Sequence, residues 1–308
     1  MRKIAFLFTL VFIALNTYAE EDWRWWNETH NWTSGMPSWK TMIKLSPGYL
    51  GPNALPVPEN QRGLTPEKLE LEFRASTHFS DGDDTEDLFL RFFYPFIPGK
   101  VGIELSGVLI EHFKMTPETR DERVARDYDG KGIAVGDIYF STYIQLAKDA
   151  RGWPDMMVRL TGRSASGNRY DAARYSDSPG YSFDLSFGKD IPCGKQANHW
   201  RWHGMLGFIS WQTNSDMTRQ NDALVFGAGL DLTLGKWTTG AEIAGYHGYK
   251  VERDSPVVGR FTVEKKLKNH SIRFRYQHGF HDLLYETFRF SYVFNFNLKK
   301  RYFAGFIH

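Results

Sequence analysis

The sequence predicts an all-β chain, a closed antiparallel transmembrane β-barrel of about 12 strands with an irregular N-terminal extension. Three observations lead there. Aromatic residues make up 16% of the chain, with 24 Phe, 15 Tyr and 10 Trp among 308 residues, yet mean hydropathy is only −0.45. Strands that turn only alternate residues to lipid have that composition. From residue 68 onward apolar residues recur with a period of two, the side-chain period of a strand. The connections between these rows alternate between short and long, the asymmetry of short periplasmic turns and longer outer loops.

Composition excludes other classes. The 38 Lys and Arg against 36 Asp and Glu leave a net charge of +2, too small for a nucleic-acid binder driven by bulk charge. Beyond residue 20 no apolar run approaches the ~18 residues of a spanning helix. The single cysteine, Cys193, allows neither an intramolecular disulfide nor a cysteine-based metal site.

Residues 1–19 have the pattern of a secretory signal peptide. Arg2 and Lys3 form its positive start, residues 4–15 its apolar run, and Thr17-Tyr18-Ala19 a cleavage site before Glu20. Residues 20–67 form the extension. Trp23, Trp25, Trp26, Trp32 and Trp39 crowd its first half, and the prolines and glycines of residues 45–58 forbid a long helix or central strand there. Three placements are open: the periplasmic interface, where Trp is favoured, the barrel mouth as a plug, or a loosely ordered arm.

The barrel is expected over residues 68–299, with a tail over 300–308. Leu69, Leu71 and Phe73 form the first apolar row; Leu88, Leu90, Phe92 and Tyr94 the second; Val101, Ile103, Leu105 and Leu109 the third. Ile138, Phe140, Ile144 and Leu146 come next, then Met156, Val158 and Leu160, then Tyr181, Phe183, Leu185 and Phe187. Trp200, Trp202, Leu206 and Phe208 precede Leu224, Phe226, Ala228, Leu230 and Leu232. Trp237, Ala241 and Ile243, then Phe261 and Val263, then Ile272, Phe274 and Tyr276 lead to the last row: Phe288, Phe290, Tyr292, Phe294, Phe296 and Leu298. Residues 95–100, 148–154, 191–198, 235–236 and 265–269 are short connections. Residues 115–131, 165–179, 213–221 and 250–256 are long ones, and the hairpins at 80–86 and 278–283 are intermediate. An even strand number puts both termini in the periplasm.

With the apolar rows on lipid, the other rows line the lumen. They carry the acids Glu70, Glu72, Glu104, Asp137, Asp184, Asp231, Glu242 and Glu264. They carry the bases Arg74, Arg91, Arg159, Arg163, Arg201, Arg260, Arg273, Arg275 and Arg289. Arginine suits bidentate pairing with carboxylates. Most of these residues are expected to form a salt-bridged lining; together they define a polar interior that allows a pore. The mixed signs predict no strong ion selectivity.

Candidate chemistry is sparse, and no cofactor, metal or catalytic residue is assigned. His78-Phe79-Ser80 places a histidine and a serine on one strand face, with Glu86 or Asp87 to orient the ring. It resembles the His-x-Ser of lipid A deacylases, where the motif lies late in a smaller barrel. A solvent-facing loop histidine is the commoner case. His278, His281 and Asp282 have metal-ligand types, but a solvated loop accounts for them. Asp81, Asp83 and Asp84 are better read as a charged exposed loop than as a cation site. Gly227–Gly229 lies on a strand and carries no nucleotide signature.

One stretch resembles a known family. Gly136-Asp137-Ile138-Tyr139, a short turn with Trp153-Pro154, and Met157-Val158-Arg159-Leu160-Thr161-Gly162 are similar to the outer-membrane barrels grouped with phenol-degradation (meta-pathway) transporters. Residues 182–188 fit the strand that follows. The resemblance covers roughly residues 130–190 and implies uptake of small, hydrophobic molecules. The chain departs from the common barrel pattern at its end, where residues 299–308 replace an aromatic residue finishing the last strand.

The expectation is a mature protein of residues 20–308 in the outer membrane of a Gram-negative bacterium. Its partners would be outer-membrane lipid, the barrel assembly machinery and a small-molecule solute, not nucleic acid. A passive channel or transporter is the first function. A plugged barrel that binds a partner through its outer loops or arm is the second, and a lipid hydrolase using His78 and Ser80 the third.

Overall fold

The computed structural model describes residues 22–194, 198–214 and 218–297. The expected signal peptide and C-terminal tail lie outside these residues. The described residues divide into two compact units, one ending at Trp39 and the other beginning at Lys40. In the first, a short helix α1 (Arg24–Thr29) carries Trp26. The Trp26 ring centroid lies 5.1 Å from His30, 6.1 Å from Trp32 and 6.5 Å from Trp39. An aromatic cluster of this kind stabilises a segment too short to bury an aliphatic core.

The second unit is the barrel. Its strands are β1 (Leu69–Ser80), β2 (Asp83–Ile97), β3 (Val101–Met115), β4 (Lys131–Ala134), β5 (Ile138–Ala147), β6 (Asp155–Arg163) and β7 (Gly180–Pro192). They continue with β8 (His199–Gln212), β9 (Gln220–Leu234), β10 (Trp237–Gly248), β11 (Val257–Lys266), β12 (His270–His281) and β13 (Glu286–Phe296). Neighbours pair antiparallel, and β13 returns to β1 with Leu69 opposite Phe296 and Phe79 opposite Glu286. That last pairing closes the sheet and leaves no edge unpaired in lipid. The four-residue β4 pairs only with the end of β3, so twelve strands are staves and β4 is an addition too short to show in an apolar row.

Alternation sets the two faces. Along β13, Phe288, Phe290, Phe294 and Phe296 are exposed while Thr287, Arg289, Ser291 and Val293 are buried. Outward aromatics also meet across strands, as Phe73 and Phe294 do at 6.4 Å, which adds to pairing strength. A bulge in β3 breaks the period there. Leu88 pairs with Ile110 and Phe89 with Val108, so Leu109 is the extra residue; Leu109 and Ile110 both point outward and Val108 is buried.

Three expected turns are displaced. The first hairpin does not loop over residues 80–86: its strands run to Ser80 and from Asp83, leaving only Asp81 and Gly82. Gly82 makes that turn with φ +82°, a region open to glycine. Pro95 lies inside β2 rather than in the following turn, beside a register shift between Pro95 and Ile97. Such an irregularity is where a strand tolerates a residue without an N–H. The last hairpin turns at residues 282–285, because β12 extends to His281.

Candidate functional site

The lumen is not empty: the chain runs through it before entering β1. Residues 45–65 make polar contacts with all twelve staves, which is geometrically consistent only with a segment inside the barrel. Asn53 donates to Asp87 of β2 at 3.0 Å and to Glu111 of β3 at 2.8 Å. Arg163 of β6 and Tyr246 of β10 donate to the carbonyls of Ala54 and Leu55, at 2.7 and 2.9 Å. Arg260 of β11 holds the carbonyls of Val57 and Pro58. The Glu59 carboxylate meets Arg74, Arg275 and Arg289 of β1, β12 and β13. Arg62 pairs with Asp231 of β9, and Arg201 of β8 donates to the Arg62 carbonyl. Ser186 of β7 accepts from Gly63 N, and Gln145 of β5 from Thr65 N. A segment with five prolines between residues 47 and 66 has few N–H groups to donate. Its carbonyls are therefore the atoms the arginines hold.

The segment crosses from one end of the barrel to the other. The Lys40 carbonyl accepts from Tyr170 at 2.7 Å, and Gly48 N donates to the Arg253 carbonyl; both partners lie in long loops. Glu67 pairs with Lys148 at 2.7 Å and the Pro66 carbonyl accepts from Gly99; these lie in short turns. The expectation that both termini share a side concerns residues outside those described. The strand count holds for Leu69 and Phe296, but residue 40 stands at the long-loop end.

At that end the segment is packed against the wall. Leu45, Ser46, Leu50, Ala54 and Leu55 of the segment are buried, with Trp211 and Tyr246 against them. The two aromatic rings are 5.9 Å apart, and Trp211 donates to the Leu45 carbonyl. Beside them lies a buried ion cluster. Asp83 Oδ2 accepts from Arg123 (2.6 Å), Arg174 (2.7 Å) and Tyr285 (2.6 Å). Arg174 also donates to Glu111 at 2.8 Å. Burial alone would lower the Arg174 pKa, but Glu111 and Asp83 outweigh it and raise it; burial pushes the Tyr285 phenol up. Asp83 is 1% exposed, so reading Asp81, Asp83 and Asp84 together as an exposed loop was wrong for the middle residue.

Beside the segment a cavity of about 720 Å³ remains, reaching Lys266, Lys268 and His270 at the short-turn end. That is the size of a small-molecule site. The expected lining residues pair mostly with one another. Arg91 bonds Glu70 (2.9 Å) and Glu104 (2.6 Å) and lies 3.5 Å from Glu72. Arg159 bonds Asp184 (2.8 Å), Arg260 bonds Glu242 (2.8 Å) and Arg273 bonds Glu264 (2.9 Å). Arg163 is 3.5 Å from Asp137, and Arg201 bonds Asp155 at 2.7 Å. Sequence reasoning missed the groups the segment supplies, Asn53, Glu59 and Arg62, and the loop residue Arg174. None of them lies in a periodic row.

The His-x-Ser pair does not assemble. Both ring nitrogens of His78 are engaged, Nε2 with Asp87 at 2.7 Å and Nδ1 with Thr287 at 3.0 Å. The Ser80 hydroxyl donates instead to the Asp83 carbonyl. His78 is 1% exposed, not a solvent-facing histidine. In the last loop, His281 Nδ1 bonds the Ser255 carbonyl at 2.9 Å and Asp282 accepts from Ser255 N at 2.8 Å, a tie between two loops.

No family model and no curated protein matches this chain. Among solved structures, an outer membrane channel from Pseudomonas putida F1 aligns with 78% of this chain and 100% of its own, at 10% identity and a TM-score of 0.54. The NanC porin aligns with 73% of this chain and 100% of its own, at 8% identity and 0.49. The KdgM porin aligns with 74% and 99%, at 11% identity and 0.45. At the identity of the first, what is shared is the fold, that of an outer-membrane β-barrel.

Proposed function

We propose that this chain is an outer-membrane channel for small polar molecules, held closed by its own N-terminal segment. The observation that carries this reading is the threaded segment itself. It is buried against the wall at the long-loop end, and beside it a ligand-sized cavity with many charged side chains in its lining reaches the short-turn end. A barrel built only for shape has no need of such a cavity, and the wall would suffice for its stability. Transport then requires the segment or the long loops to move. The likeness of residues 130–190 to meta-pathway transporters adds a second reason to read uptake. The charged wall favours polar over hydrophobic solutes. With the long loops outward, the strand ends Leu69 and Phe296 face the periplasm and residue 40 faces outward.

The test uses the full mature chain. Gly63 adopts φ +76°, and a Cβ there would lie 2.6 Å from the Asp155 carbonyl oxygen and 2.8 Å from Gly188 N. Both are backbone atoms that cannot swing aside. Gly63→Val is therefore expected to push the segment off the wall. In planar bilayers the unaltered protein should show a quiet state with rare openings. The variant, shown folded by heat-dependent gel mobility, should conduct steadily. Silence from both folded forms would overturn the channel and favour a plugged, partner-binding barrel.

A further inference from the structure

We infer that the arginines around Glu59 form a binding site for a small carboxylate solute, and that Glu59 occupies it as a tethered stand-in. The inference deepens the channel reading, on which it rests, by naming the solute class and what opens the segment.

The wall arginines elsewhere in the lumen have a wall acid within ion-pair distance, as Arg91, Arg159, Arg260 and Arg273 do. Among the described residues, Arg74, Arg275 and Arg289 have none: their ion-pair partner is Glu59 alone. Arg275 and Arg289 are moreover directly opposite each other on β12 and β13. Like charges in that position repel, so an anion must lie between them for the pairing to hold. The nearby acids are spent. Glu72 is shared by Arg91 and Arg273, and Asp87 is held by His78, Ser76 and Asn53.

One carboxylate does not satisfy three guanidinium groups. All three contacts fall on a single oxygen, Glu59 Oε1, at 2.5 Å from Arg275, 3.3 Å from Arg289 and 3.6 Å from Arg74. Arg74 Nε and Arg289 Nε are buried with no hydrogen-bond partner. The cluster thus has positive charge and donors to spare. Arg74 is fixed by stacking 3.7 Å from the centroid of the Phe89 ring, and Arg275 by Thr262 at 3.2 Å, so the forks are preformed. Glu59 is the replaceable part. Its side chain is 33% exposed, against 9% or less for Arg275 and Arg289, and it lines the cavity. A dicarboxylate arriving from the short-turn side matches the spare charge and the planar fork geometry. Its binding expels Glu59 and frees the chain between the Arg260 and Arg62 anchors.

The test reads the segment directly. Gln61 lines the cavity and donates to the Glu59 carbonyl. In a full-length Cys193→Ser background, Gln61→Cys is labelled with a maleimide in the presence of glutarate, inorganic phosphate or glycerol. Glutarate should raise the labelling rate saturably, by about 10-fold if it shifts most of the population, and glycerol should not. Glu59→Gln should be fast without glutarate, and Arg275→Gln should lose the glutarate response. Calorimetric titration of the unaltered protein with glutarate gives a reading that needs no variant. No saturable heat, an equal response to glycerol, or a response to phosphate alone would each overturn the inference. A conducting barrel that ignores glutarate removes the site and keeps the channel; a glutarate-responsive barrel silent in bilayers does the reverse.

Discussion

Replacing Asp83 with alanine should destabilise the folded barrel by about 3–5 kcal/mol, the cost of leaving buried charges without their partner. Asp83 joins four separate parts of the long-loop end through one carboxylate: the first hairpin, the loop holding Arg123, the loop holding Arg174 and the last hairpin with Tyr285. Its Oδ1 also accepts from Thr85 at 3.0 Å. Removing it strands two buried arginines, of which only Arg174 retains Glu111. Urea unfolding in lipid vesicles, followed by tryptophan fluorescence, measures the loss. Glu67→Ala is the control, because its pair with Lys148 is 62% and 37% exposed and such pairs contribute about 0–1 kcal/mol. Asp83→Ala combined with Arg123→Met should recover part of the loss, since the arginine left without an acid is then removed with its partner. Equal stability of Asp83→Ala and Glu67→Ala would mean that the long-loop end is held by packing and not by its ions.

The same residue shows what the sequence could and could not disclose. Strands announce themselves through neighbours two positions apart, so the rows from Leu69 to Phe296 were legible and so was the twelve-stave closure. The ion cluster is assembled from residues 40 and 91 positions apart, and no local pattern marks such a meeting. The threaded segment was half legible. Its prolines excluded helix and strand and left a plug among the options. Nothing in an aperiodic segment says which carbonyl an arginine will hold, or that Glu59 meets three of them. The lumen arginines were found by parity alone, but parity is blind to their partners. It could not separate Arg159, matched by Asp184, from Arg289, matched by no wall acid. His78 fell to the opposite error. The motif invited a comparison with Ser80, while parity put the histidine on the inner face, where Asp87 and Thr287 take both nitrogens.

Phe290→Arg should lower stability in a bilayer by about 2–4 kcal/mol, the cost of an arginine on the lipid face near the midplane. Phe290 is mid-strand in β13 and 55% exposed. Its neighbours across the two ladders are Ala75 and Phe274, neither of which offers an acceptor. Alternation also bars rescue from inside. Glu59 and the wall acids are on the other face, so an arginine at this position cannot turn to them without a register slip that would invert the whole strand. Depth is the decisive variable. Phe296 lies on the same outward row, six residues further along at the short-turn end, and is 48% exposed. Phe296→Arg should cost about 0–1 kcal/mol, because an interfacial arginine snorkels to water. Unfolding both variants from vesicles of one lipid separates depth from side-chain chemistry, since the substitution is the same. A large cost at Phe290 with a small one at Phe296 places the aromatic belt in hydrocarbon. Equal small costs would mean that water, not lipid, meets the outer face, and the exposed aromatic rows would then have to be explained by a protein partner.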